Sequence, residues 1–61
     1  MKIVIDGMGG DNAPQAVVEG ACMAVNEYGV DIIITGDKDQ IENELKKHNC
    51  DKSKIEVVHT T

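Results

Sequence analysis

Aromatic residues are nearly absent from this 61-residue chain: Tyr28 stands alone, without Phe or Trp. Any core must therefore be built from Ile, Val, Leu, Met and Ala. A free-standing domain of this length buries only roughly 60% of its unfolded surface. Its core is expected to supply no more than roughly 3–5 kcal/mol. Arginine is absent too. Six lysines face eleven acids, for a net charge of −5, and the charges are spread out as a solvated surface. A nucleic-acid binder needs a basic face, so the sequence points to no nucleic-acid partner. Apolar runs are short, Ile3–Ile5 and Ile32–Ile34 among them, whereas a spanning helix needs about 20 apolar residues. The apolar stretch after Met1-Lys2 is also too short for a signal-peptide core. A cytoplasmic location is the default expectation.

Cysteine is scarce and unpatterned. Cys22 and Cys50 have no CxxC or Cys/His metal spacing. Without a secretory leader they are expected as reduced thiols. Cys22 falls inside a helical pattern, as a small packed hydrophobe. Cys50 falls at a turn and is expected to be exposed. Neither has a basic neighbour that would activate a thiolate.

What is present is an alternation of short elements. Lys2–Asp6 is a β-branched run that suits a buried strand. A first helix is expected from Asn12 or Ala13, with Asn12 and Gln15 as a capping pair and Pro14 in the first turn. Val17, Ala21, Ala24, Val25 and Tyr28 form its apolar face, and Gly29 stops it. Met23 lies on the polar side with Glu19, Asn26 and Glu27. Asp31–Thr35 is a second strand, apolar on both faces, as in a parallel sheet. Gly36-Asp37 opens a second helix, with Asp37 and Gln40 at capping spacing. Ile41 and Leu45 form its stripe. Lys46, Lys47 and His48 complement its last turn, and Asn49 ends it. Ile55–His59 is a third strand.

This βαβαβ order predicts an α/β parallel sheet with right-handed crossovers. Two helices are too few to cover three strands that are apolar on both faces. With Met23 and the end of the sequence at Thr60-Thr61, this implies that residues 1–61 are the N-terminal fragment of a single larger α/β domain.

The chemistry-bearing stretch is Asp6-Gly7-Met8-Gly9-Gly10-Asp11-Asn12-Ala13-Pro14. It lies between the first strand and the first helix, where ligands of parallel α/β sheets collect. Glycines permit close backbone approach, and helix-start amides favour a phosphate. The plainer reading is a tight turn, and the loop alone leaves the two level. Asp6 and Asp11 work against an anion. One of them can orient a water or a backbone amide, and Asp11 can cap the helix. Two acids at this spacing are weak grounds for Mg²⁺. GxGxxG from Gly7 fails at Asn12, and Asp37 follows too far on for a ribose-binding acid. No Gly-Lys-Ser/Thr is present. His48 suits a helix C-terminus. His59 lies near the strand end where sites form.

The run Met1 to Pro14, followed by Val18-Glu19-Gly20-Ala21, resembles the opening of the bacterial phosphate acyltransferase (PlsX) family, which carries D-x-MGGD-x-AP and then EGA in the first helix. Gly36-Asp37 and Ile55-Glu56-Val57-Val58-His59 resemble it also, so the likeness covers the whole chain. Gly7 is a departure, since alanine is frequent there; the glycine is expected to be tolerated in a loop. The resemblance implies a homodimeric enzyme related in fold to isocitrate and isopropylmalate dehydrogenases and to phosphotransacetylase. It implies acyl transfer from acyl-acyl carrier protein to inorganic phosphate, without metal or redox cofactor. The acyl phosphate would pass to a membrane glycerol-3-phosphate acyltransferase, with peripheral membrane association. Asp6, Gly7, Met8, Gly9, Gly10, Asp11 and Asn12 are the candidate phosphate-binding or substrate-binding residues; no catalytic residue is assigned. Two other classes stay open: a nucleotide-binding α/β module and a non-catalytic fragment that self-associates.

Overall fold

A computed structural model describes residues 1–60; Thr61, half of the terminal pair noted above, lies outside them. The chain runs β1 (Lys2–Asp6), α1 (Gln15–Tyr28), β2 (Asp31–Gly36), α2 (Lys38–Leu45), a short 3₁₀ turn (Lys52–Lys54) and β3 (Ile55–His59). The strands form one parallel sheet in the order β1-β2-β3. Ile3 pairs with Ile32, which in turn pairs with Ile55; Ile5, Ile34 and Val57 line up likewise. Because successive side chains point to opposite faces, these residues share one face. Both helices pack on it and touch each other.

The core is Val18, Ala21, Cys22 and Val25 from α1, Ile32 and Ile34 from β2, and Ile41 and Leu45 from α2. Val18, Ile34 and Ile41 are fully buried, each worth about 1.5–3 kcal/mol of transfer free energy. With only two layers, the other sheet face stays open: Val4 is 64% exposed and Val58 39%. β1 is therefore not the buried strand its composition predicts. It is an edge strand, and only Ile5 tucks against the core. The apolar face of α1 is also rotated from expectation. Val18 is buried where Val17 is expected, Val17 is half-buried, and Tyr28 is exposed, whereas Cys22 is packed as expected. Met23 points to solvent. Tyr28 is the last residue of α1.

Helix ends follow local chemistry. Gly29 takes a left-handed conformation (φ 64°), and its N–H donates to Val25 O, the αL stop. α1 begins at Gln15, two to three residues later than predicted, with Pro14 in the N-cap position and no side-chain cap. Proline disfavours a helical residue before it, so Ala13 stays in the turn. Asn12 does not cap with its side chain; instead its carbonyl accepts from Ala16 N at 3.0 Å. α2 ends at Leu45, short of Asn49. Lys47 N and His48 N donate to Glu44 O and Leu45 O, three-residue bonds that tighten the chain out of the helix. The cations thus lie just beyond the helix rather than in its last turn.

Candidate functional site

All three strands are parallel, so their carboxyl ends bring three segments to one sheet edge: Asp6–Asn12, Gly36–Lys38 and His59–Thr60. The first connection is seamed to the sheet. Gly7 N donates to Thr35 O at 2.7 Å, and Thr35 Oγ1 donates to Ile5 O at 3.4 Å. Asp6 Oδ1 accepts from Met8 N at 3.0 Å, an Asx turn. The expectation that an acid orients a backbone amide therefore falls to Asp6. Asp11 is exposed and makes no cap to α1, because Pro14 sits where a capping residue would.

The glycines are not equivalent. Gly7 is buried, and a Cβ on it would lie 2.6 Å from Ile34 Cγ2 and 2.8 Å from Ile41 Cδ1. Alanine at position 7 obliges core side chains to shift. Gly10 adopts φ +92° with open space beyond its α-carbon. Its requirement is conformational. A Cβ on Gly9 would meet only Asp6, at 3.6 Å or more, so neither crowding nor conformation demands glycine there. Among the described residues, no hydrogen bond uses the amides of Gly10 and Asp11.

Gly36 is a site-shaping residue that motif reading overlooked. It has φ +147°, and a Cβ on it would lie 2.6 Å from Met8 Cγ. Met8 therefore lies over Gly36, joining the first loop to the second. The available signal was a glycine closing an Ile-Ile-Ile-Thr strand, read as a helix opener and as part of the family likeness but not as a packing requirement.

The two helix N-termini at this edge differ. At α2, Asp37 Oδ1 accepts from Gln40 N and Asp37 Oδ2 from Gln40 Nε2, both at 3.2 Å. His59 Nδ1 accepts from Lys38 N at 3.2 Å. So Asp37 acts as the predicted cap, and His59 reaches the edge but serves α2. At α1 no side chain caps the start, and the first turn holds no acid. The partial positive end of α1 is therefore the one open to an anion. Beside it lies a shallow depression of about 260 Å³ lined by Asn12, Gln15, Ala16 and Glu19. An apolar groove of about 370 Å³ adjoins it, running from Asp6 between β1 and α1 past Ile3, Ile5, Val17 and Ala24. A further depression, at Lys2, Asp31 and Lys54, lies at the opposite end of the sheet, away from the loops. No cluster of three metal-ligating side chains occurs among the described residues.

Asp51, a carboxylate with a displaced pKa, lies elsewhere. Hydrogen bonds from the Ser53 hydroxyl and N–H hold Asp51 below the usual carboxylate range. They fix the turn into β3. No helix among the described residues is long and apolar enough to cross a membrane.

A parallel α/β sheet with a glycine loop at its carboxyl edge defines a broad class of ligand-binding proteins. Sequence comparison narrows it. The family model described as "Fatty acid synthesis protein" matches residues 1–61, and the chain belongs to that family. It is 64% identical over 61 residues to a phosphate acyltransferase of Clostridioides difficile, covering 100% of this chain. It is 58% identical over 59 residues to a phosphate acyltransferase of Alkaliphilus oremlandii, covering 97%. It is 55% identical over 60 residues to one of Clostridium kluyveri, covering 98%. In each case the chain spans 18% of the relative's length.

Proposed function

We propose that this chain is the first βαβαβ segment of a phosphate acyltransferase, an α/β enzyme whose catalytic domain extends well beyond these residues. The reaction is transfer of a fatty acyl group from acyl-acyl carrier protein to inorganic phosphate. A phosphate oxygen attacks the thioester carbonyl; the tetrahedral intermediate expels the carrier's thiolate and leaves an acyl phosphate. The observation that carries this reading is the 64% identity, along the whole chain, to a relative named phosphate acyltransferase.

Within that reaction, the loop Asp6, Gly7, Met8, Gly9, Gly10, Asp11 and Asn12 helps to bind phosphate or shapes the floor of its pocket. The uncapped start of α1 and the unused amides of Gly10 and Asp11 support this role. Donors for the carbonyl oxyanion, the remaining phosphate contacts and the acyl channel come from the rest of the enzyme. Thiolate is a good leaving group, so the mechanism needs no metal or redox cofactor. A homodimer in the cytoplasm, peripheral to the membrane and supplying a glycerol-3-phosphate acyltransferase, completes the reading.

The test is direct. Full-length enzyme, acyl-acyl carrier protein and phosphate should yield acyl phosphate and free carrier thiol in equal amounts. Release of fatty acid without phosphate consumption would sink the proposal. The 61-residue chain alone should turn over neither substrate, and activity from it would refute its standing as a partial domain.

A further inference from the structure

Away from the sheet edge, the two cysteines meet. Cys22 lies mid-way along α1 and is 4% exposed; Cys50 lies in the turn before the 3₁₀ segment and is half-buried rather than exposed. Their sulfurs are 2.6 Å apart, within hydrogen-bond distance of each other. A second contact holds the same register without sulfur. Asn26 Nδ2 donates to Asn49 O at 3.1 Å. Asn26 is one helical turn from Cys22, on the same face, and Asn49 precedes Cys50. The turn is thus pinned against α1 beside the thiol pair.

We propose that Cys22 and Cys50 form a dithiol redox site that closes to an intramolecular disulfide by exchange with small-molecule disulfides such as oxidised glutathione. Closing needs a side-chain shift of under about 1 Å, since a disulfide bond is about 2.05 Å long. The order of events follows from exposure. Cys50 reaches solvent, so its thiolate attacks the small disulfide, forming a mixed disulfide and releasing one small thiol. Cys22 then loses its proton to water and attacks the Cys50 sulfur, releasing the second small thiol. The balance is two protein thiols and one small disulfide in, one protein disulfide and two small thiols out.

Before that step Cys22 is inert. Burial, with the hydrogen bond and charge of Cys50, pushes its thiol up to about 12. Once Cys50 is capped, its hydrogen bond and charge no longer act on Cys22. Burial then remains, opposed by the positive charge of Lys52. Lys52 is the basic neighbour that sequence spacing did not credit. The site therefore favours capture at Cys50 followed by resolution at Cys22.

The test uses the full-length protein treated natively with oxidised glutathione, quenched in acid, alkylated and digested with trypsin. Residues 48–52 should appear linked to residues 3–38, and the link should form at least tenfold faster than in urea. Cys22→Ser should trap glutathione on Cys50, whereas Cys50→Ser should leave Cys22 unmodified. Two alkylated cysteines after native treatment, or no rate advantage over urea, would overturn the proposal. So would a Cys22→Ser protein that captures no glutathione.

Discussion

The two strand-to-helix connections at the carboxyl edge solve the same problem in opposite ways. The β2–α2 connection is one residue long, Asp37. Its helix start is closed by Asp37 and His59, with a further acid, Asp39, in the first turn. The β1–α1 connection runs from Gly7 to Pro14, and its helix start has neither side-chain cap nor acid. An anion at α2 would compete with two acceptors and meet two carboxylates. At α1 it meets the unused amides of Gly10 and Asp11, with Asp6 and Asp11 as the opposing charges of the loop. The difference teaches that glycine content alone does not make the site. What matters is which helix start the chain leaves unsatisfied.

The largest expected effect comes from breaking the contact between the two connections. Gly36→Ala puts a Cβ into Met8 and forces a side chain onto φ +147°. Strain and overpacking together should cost about 3 kcal/mol, read as a lower urea midpoint of the full-length protein. Gly9→Ala is the control, because its Cβ meets nothing closer than 3.6 Å. It should change stability by less than about 0.5 kcal/mol. Equal effects at the two glycines would mean that Met8 does not seat on Gly36.

A smaller effect sharpens the contrast between caps. Asp37→Ala removes the acceptor for Gln40 N and should cost about 1 kcal/mol. Asn12→Ala should cost almost nothing, because only its backbone carbonyl is used. Measured side by side by thermal unfolding, these variants compare a working cap with a spacing that merely looks like one.

That pair also marks what the sequence could and could not disclose. The capping spacing was identical at Asn12/Gln15 and Asp37/Gln40, and only the second is realised. Proline two residues after Asn12 delayed the helix, a local rule outweighing the pattern. Element order, parallel pairing, the Gly29 stop and the Ile41/Leu45 stripe were legible, since periodicity and turn chemistry carry them. Burial of β1 was not, because composition reports affinity for a core and not whether a second layer exists. The loop's place at the sheet edge was legible from its following a strand. The seat of Met8 on Gly36 and the meeting of Cys22 with Cys50 were not. Each joins residues 28 apart in sequence, a contact that only the folded crossovers create.

The smallest structural perturbation is the most informative about the open connection. In Asp6→Asn the side-chain oxygen can still accept from Met8 N, so the Asx turn survives and stability should shift by less than about 0.5 kcal/mol. The charge, however, is lost. If phosphate sits against the start of α1, Asp6 repels it through the short loop. At an effective dielectric between water and protein surface, removing one charge a few ångströms away is worth about 1 kcal/mol. That corresponds to a roughly fivefold lower KM for phosphate in the full-length enzyme. The gain should shrink as salt is raised, whereas KM for the acyl carrier should not move. A change in kcat with KM for phosphate untouched would place Asp6 at the acyl centre instead. It would also assign phosphate to another part of the enzyme.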